Sequence, residues 1–275
     1  MPLSEKPVYL PGSDGLPARV SGQWARRKHH YLGNYCGIVA GAMRNKWSGG
    51  VIFLDVMAGP GRCKDEATND EFDGSPLLAL KYDFSDFYFI EEDPDLFSAL
   101  EKRLQNHPKR NRIHLFNESW IDVGSKGHLH FDAKTLVVAF IDPTEISAVP
   151  MSAILGLMEN PHIDLLITIQ YALGIVLNVP QFAQSEGGDT VLDRFLGSTE
   201  WRNWKYKDAS ELAKRAIEEF CAIIEASGFK GARHISVPET RPLYRFAFFS
   251  RHELGTSFWN KILKIDDKGQ RELPF

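Results

Sequence analysis

The sequence predicts an α/β fold, a doubly wound and mostly parallel sheet with helices on both faces and a terminal antiparallel hairpin. Three observations predict it. Short apolar runs recur along the chain as VIFLDV (51–56), FYFIE (87–91), RIHLFN (112–117), TLVVAFID (135–142) and IDLLITI (163–169). They are near-continuous rather than alternating, as strands covered on both faces are, and helical patterns fall between them. The last two runs, ARHISV (232–237) and YRFAFFS (244–250), are too close in sequence for a crossover helix and should pair as an antiparallel hairpin at one edge.

Each element has its own signal. Residues 1–23 are rich in Pro, Gly and Ser and read as an N-terminal arm, and residues 24–275 as a single domain. A helix from Trp24 to about Trp47 buries the face carrying Leu32, Tyr35, Val39, Ala42 and Met43, and its start carries the basic run Arg26 to His30. SGG at 48–50 ends it before the first strand. Asp93 as N-cap and Pro94 at the first helical position open a helix whose buried face is Leu96, Phe97, Leu100 and Leu104. MSAILGLM (151–158) is a short helix, and LAKRAIEEFCAIIEASG (212–228) is a longer one closed by Gly228. The stretch 178–208, with Trp201 and Trp204, has weak periodicity and reads as an insertion packed over the carboxyl edge of the sheet.

Composition narrows the function classes. The chain has 275 residues, 43% hydrophobic and 25% charged, with a net charge of −4, so nothing suggests a general affinity for nucleic acid. The three cysteines, Cys36, Cys63 and Cys221, are scattered with no CxxC pair, which disfavours a zinc site or a disulfide framework. They read as reduced thiols, and with no apolar signal core at the N-terminus and no run of 18 apolar residues a cytoplasmic protein is expected. No GxSxG, HExxH or P-loop occurs.

The candidate site follows from the sheet. Open α/β sheets bind ligands beyond the carboxyl ends of their strands, at the switch point beside the first. The first strand ends in Asp55 and runs into Ala58-Gly59-Pro60-Gly61, where glycine lets the backbone approach a ligand. The second ends in Glu91, placed to accept both hydroxyls of a ribose. The third ends in Asn117-Glu118, beside an adenine amino group, and the fourth in Asp142. Each piece has a plainer reading, a tight turn for the glycines and a helix cap for an acid, so it is their order that points to a cofactor. An NAD site needs a third glycine and a helix starting directly after it. Here RCKDEATNDEFDG (62–74) intervenes, the helix starts at GSPLLAL with Ser75 as N-cap, and Asp55 to Glu91 spans 36 residues. A missing pyrophosphate cradle disfavours the dinucleotide and favours S-adenosylmethionine, which has no phosphate. Lys28 or His29 could pair with its carboxylate, or else form a solvated basic helix start. Five parallel strands and a terminal hairpin are also the strand count of the methyltransferase variant of this fold.

The chain resembles a bacterial family, the three-Cys-motif partner proteins, which are similar to Rossmann-type S-adenosylmethionine-dependent methyltransferases. The resemblance rests on KHHYLGNYC, FLDVMAGPGR, DGSPLLAL, FYFIEEDPDLFSALEKRL, AFIDPTE, DLLITIQYA, LDRFLGSTEW and PLYRFAFFSRHELG, and spans roughly residues 24–260. It implies a methyltransferase-like fold, S-adenosylmethionine as cofactor, and a neighbouring radical-SAM-like partner bearing three cysteines. It implies far less about the methyl acceptor.

One departure matters. Amino-group methyltransferases of nucleic acids carry [DNS]PP[YFW] after the fourth strand, whereas this chain has Asp142-Pro143-Thr144-Glu145. The second proline and the aromatic that stacks on a flipped base are absent, which weakens a nucleic-acid acceptor. Asp142 and Glu145 are the candidates for orienting the acceptor or acting as general base, and the plainer alternative for Asp142 is a cap on the next turn. Arg251 and His252 after the last strand, and Arg241, Tyr244 and Arg245 as a basic–aromatic patch, are further candidates with surface or solvated-strand alternatives. A methyltransferase-fold scaffold without catalysis is the competing reading.

Overall fold

The computed structural model of the chain describes residues 8–172, 174–184, 189–231, 235–237 and 244–264. Its strands are β1 (Tyr9–Pro11), β2 (Pro17–Ser21), β3 (Val51–Asp55), β4 (Arg62–Asp65), β5 (Glu71–Asp73), β6 (Asp86–Ile90), β7 (Ile113–Phe116), β8 (Leu136–Ile141), β9 (Ile163–Gln170), β10 (Lys230–Gly231), β11 (Ile235–Val237) and β12 (Tyr244–Ser250). Its helices are α1 (Gln23–Met43), α2 (Ser75–Ala79), α3 (Pro94–Leu104), α4 (Trp120–Ser125), α5 (Met151–Met158), α6 (Val179–Gln184), α7 (Val191–Leu196), α8 (Ala209–Ala226) and α9 (Glu253–Ile262).

The large sheet has the order β10-β12-β9-β8-β3-β6-β7, with β11 also pairing β12. The strands from β7 to β9 run parallel, and β12 is antiparallel to β9, β10 and β11. The expected doubly wound sheet with a terminal antiparallel hairpin is therefore present. From β3 the chain winds outward through β6 to β7, then returns to β8 and β9 on the other side. The switch point lies between β3 and β8.

The apolar strand runs follow from burial on both faces. Val137, Ala139 and Ile141 of β8 face one core with α5, α7 and α8, while Leu136, Val138 and Phe140 face the other with α1, α3 and α9. Each helix presents its apolar stripe to one of these cores. Asp93 caps α3 by accepting from the Asp95 and Leu96 amides, as expected. α1 spans Gln23–Met43, so it ends four residues before the expected Trp47.

Several expectations are corrected. Residues 9–21 are not a loose arm, because β1 and β2 form an antiparallel pair and β2 continues parallel onto β4. Segment 62–74 is not helical, and its β4 and β5 form a hairpin that completes a four-stranded sheet of order β1-β2-β4-β5. The pairing that joins the two segments sets Arg19 of β2 against Cys63 of β4, far apart in sequence, which no local pattern reports. Ser75 is the first residue of α2, and Gly74 occupies the N-cap. The chain does not close on strands. α9 follows β12, and its Trp259 stacks on Phe248 at 5.0 Å. The stretch 178–208 contains α6 and α7. Thr190 and Asp193 cap α7 reciprocally, Asp193 also takes the Trp201 indole N–H and Arg202, and Phe195 stacks on Phe220 at 4.4 Å.

Arg103 of α3 ties the two sheets together. Its Nη1 donates to the carbonyls of Pro60 (2.6 Å) and Pro17 (2.8 Å), its Nε and Nη2 donate to Asp14 (2.7 and 2.9 Å), and its side chain is 5% exposed. Replacing Arg103 with Ala removes the donor to the Pro17, Pro60 and Leu16 carbonyls and the ion pair with Asp14, and should cost about 3 kcal/mol of stability. Urea denaturation measures that loss. Hydrogen exchange should show residues 9–21 opening first, and protection equal to wild type there would contradict the clamp.

Candidate functional site

The crevice is built at the carboxyl ends of β3, β6 and β8. Asp55 closes β3 and is fully buried. Its Oδ1 accepts from the Met57 amide at 3.2 Å, and its Oδ2 has no hydrogen-bond partner among the described residues. Burial pushes the Asp55 carboxyl up to about 7. The Ser75 hydroxyl and the Met57 amide oppose that rise, and the Asp142 and Glu91 charges add to it.

The turn beyond Asp55 needs its glycines. Gly59 has φ +62° and Gly61 φ +82°, where a side chain is strained. A Cβ on Gly61 would also lie 2.8 Å from Leu100, whereas above Gly59 there is open space. The Ala58 amide donates to the Ile90 carbonyl at 2.8 Å, which locks the turn to the end of β6. Glu91 follows β6. Its Oε2 accepts from the Gly59 amide at 2.7 Å and its Oε1 from the Asp93 amide at 2.9 Å, so this acid braces the glycine turn as well as facing the crevice. Burial raises the Glu91 pKa, against those two amides.

Asp142 follows β8 and meets Lys28 of α1. The Lys28 ammonium donates to both carboxylate oxygens, at 2.5 and 2.6 Å, and lies 4.7 Å from the centre of the Tyr244 ring. The two side chains are 8% and 12% exposed. Burial raises the Asp142 pKa, but Lys28, Arg19 and the Thr168 hydroxyl outweigh it and hold the carboxyl below its ordinary value; burial lowers the Lys28 pKa. Tyr244 also donates its hydroxyl to the Trp24 carbonyl at 2.6 Å, fixing the start of α1 against β12.

The remaining candidates divide. His29 is half-buried with its ring 5.8 Å from Phe72, its buried Nδ1 lacks a partner among the described residues, and desolvation with the Lys28 charge lowers its pKa to about 4. It is neutral at neutral pH and gives a carboxylate no charge. Glu118 is exposed and paired with Lys126, while Asn117 donates to the Glu91 carbonyl at 2.9 Å and ties β7 to β6. Glu145 is exposed and accepts from Ser147 at 3.3 Å. Cys63 is buried and its pKa is raised by that burial, so it has no thiolate character. His252 lies at the opposite, amino edge of the sheet, 3.0 Å from His162, beside a cavity of about 260 Å³ lined by Trp47 and Asp164. Arg251 donates there to the Asn160 and Met158 carbonyls. Arg245 lies over Tyr171 at 5.5 Å, and Arg241 lies outside the described residues. Among the described residues no group of His, Cys, Asp and Glu could hold a metal ion.

The small sheet brings Tyr9 near Glu91 and Arg19 near Asp142, which no local pattern in the sequence signals. The Gly74 amide donates to the Gly61 carbonyl at 2.9 Å, so the β4–β5 hairpin leaves and returns at one point and α2 begins beside Gly61. That start still makes a poor phosphate cradle, because Pro76 supplies no N–H and the helix has five residues.

No protein-family model matches the chain, and no curated protein matches it. Solved structures do. A protein from Legionella pneumophila str. Philadelphia 1, of family model DUF519, superposes with a TM-score of 0.55 at 11% identity, over 87% of this chain and 89% of that one. The two share an α/β fold. The methyltransferase domain of a bacterial Hen1 protein matches at TM-score 0.42 and 14% identity, over 80% and 99%. The fibrillarin pre-rRNA processing protein of Methanococcus jannaschii matches at 0.43 and 12%, over 72% and 65%. Among the described residues no helix is long and apolar enough to cross a membrane.

Two outcomes follow for the buried charges. Lys28→Met strands the Asp142 carboxylate and should cost about 3–5 kcal/mol in urea denaturation, most of it recovered when Asp142→Leu is added. Asp55 behaves with the opposite sign. Its folded pKa is about 7 against an ordinary 3.8, so its contribution to stability is complete below about pH 4 and is lost as the pH rises through 7. The variant Asp55→Asn should therefore gain on wild type between pH 4 and pH 8, approaching ~4 kcal/mol. Parallel pH profiles for the two proteins would refute the raised pKa.

Proposed function

We propose that the protein is an S-adenosylmethionine-dependent methyltransferase whose cofactor lies in the crevice of Asp55, Ala58, Gly59, Gly61 and Glu91. The observation that carries this reading is the fully buried Asp55, with one oxygen lacking a partner, beside a glycine turn whose first glycine faces open space. A buried lone carboxylate oxygen and two neighbouring acids suit a ligand bearing positive charge and ribose hydroxyls, and they repel a pyrophosphate. When bound, the cofactor supplies a methyl group on a sulfonium, and in-line displacement by an acceptor nucleophile transfers it.

The residues of the chain then have distinct work. Glu91 accepts the ribose hydroxyls while bracing Gly59. Asp55 accepts from a cationic or hydroxyl group of the ligand. Positioning supplies much of the acceleration in such a displacement. Asp142 sits on the acceptor side, where its pairing with Lys28 makes it a weak base and leaves it to orient an acceptor by hydrogen bonding. Glu118 lies outward at the adenine end and Glu145 beyond the crevice, so neither carries the reading.

A scaffold without catalysis, working with a three-cysteine radical-SAM-like partner, is the second reading. The observation that favours it is that Lys28 occupies both Asp142 oxygens, where an acceptor-binding motif would present a free acid. The partner itself rests on the sequence resemblance alone, and a nucleic-acid acceptor on no contact described above.

Calorimetric titration with S-adenosylmethionine, S-adenosylhomocysteine and NAD decides between these readings. Micromolar binding of the first two and none of NAD is expected, with Glu91→Ala weakening both by tenfold or more while the protein stays folded. Absence of binding in the wild type would overturn the cofactor assignment and leave the scaffold.

A further inference from the structure

A ligand with an amino-acid end brings a carboxylate into a crevice lined by Asp55, Glu91 and Asp142, which is the wrong charge for it. The cation first suggested for that carboxylate, Lys28, is committed to Asp142, and His29 is neutral. The small sheet supplies another. Tyr9 stands opposite Arg19, Arg19 opposite Cys63, and Cys63 opposite Phe72, so the four side chains form one row across β1, β2, β4 and β5 on one face. That face looks onto the start of α1 and the crevice. Cys63 is buried, and Phe72 packs on His29, next to Lys28. The Arg19 charge is felt by Asp142, Lys28 and His29 on one side and by Tyr9, itself near Glu91, on the other.

Arg19 is half-buried, and among the described residues it makes no hydrogen bond or ion pair. Its neighbours in the site are otherwise accounted for, since Arg26 holds Asp65 and Arg103 holds Asp14. A guanidinium partly withdrawn from water without an anion is unfavourable, and its fork matches a carboxylate with two parallel hydrogen bonds.

We propose that Arg19, on the N-terminal β1–β2 hairpin, binds the α-carboxylate of the cofactor's amino-acid end. This assignment rests on the S-adenosylmethionine reading above. It gives the hairpin a share in the binding site, with Arg103 holding it in place from behind.

The test is a titration of the full chain with S-adenosylhomocysteine and with 5′-methylthioadenosine, which keeps the adenosine and thioether but lacks the amino-acid end. Arg19→Gln should weaken the first by about tenfold or more and leave the second within about twofold, with Arg19→Lys intermediate. Unchanged affinity for S-adenosylhomocysteine in Arg19→Gln overturns the proposal while the cofactor reading stands. Equal weakening of both ligands also overturns it, because Arg19 would then support the wall rather than the carboxylate. A wild type that binds neither ligand removes both readings before any variant is made. Should Arg19→Gln fail to fold, the wild type is titrated with decarboxylated S-adenosylhomocysteine, and affinity equal to that of the parent ligand again overturns the proposal.

Discussion

The ion pair between Lys28 and Asp142 sets the terms for the rest of the crevice. It joins the second turn of α1 to the end of β8 at the switch point of the sheet, with the Tyr244 ring against the ammonium. Two buried charges in such contact are tolerated only as a pair, so each fixes the other's position. Committing Lys28 in this way leaves Asp55 without a cation and Arg19 without an anion. The crevice therefore holds a buried carboxyl and a guanidinium that do not pair with each other, as the proposed zwitterionic ligand would require.

The wall opposite that pair comes from two stretches distant in sequence. Residues 9–21 and the hairpin inserted between Gly61 and Gly74 are each too short to be stable alone, and together they make a four-stranded sheet. The insertion starts and ends at the Gly61–Gly74 hydrogen bond, so it adds a wall without disturbing the glycine turn. Arg103 then binds the carbonyls of Pro17 and Pro60 with one guanidinium nitrogen, coupling wall and turn to α3.

Fold and chemistry part company at Asp142. The sheet order places Asp55, Glu91 and the glycine turn at the switch point, where the proposed methyl donor would sit. The acceptor side lacks the second proline and the aromatic of the base-methylating motif, and its acid is occupied by lysine. A fold of this kind hosts many acceptors, so the substrate is carried by this side of the site and not by the sheet.

Much of the architecture was legible in the residues themselves. The apolar runs of β3, β6, β8 and β9 announced strands buried on both faces, and Asp93-Pro94 announced the start of α3, because these signals are local and periodic. Strand ends placed Asp55, Glu91 and Asp142 at one edge for the same reason. What the sequence by itself could not determine was everything that depends on long-range pairing or on charge partners. The strands of residues 9–21 exist only because β4 lies beside β2, and Lys28 and Asp142 find each other across 114 residues. Tertiary structure alone decided that Lys28 is committed, that Glu118 points to Lys126, that His252 faces the far edge, and that Arg19 reaches the crevice. A side chain's charge can be read from its type, but whether that charge is already paired depends on which residues the fold brings next to it.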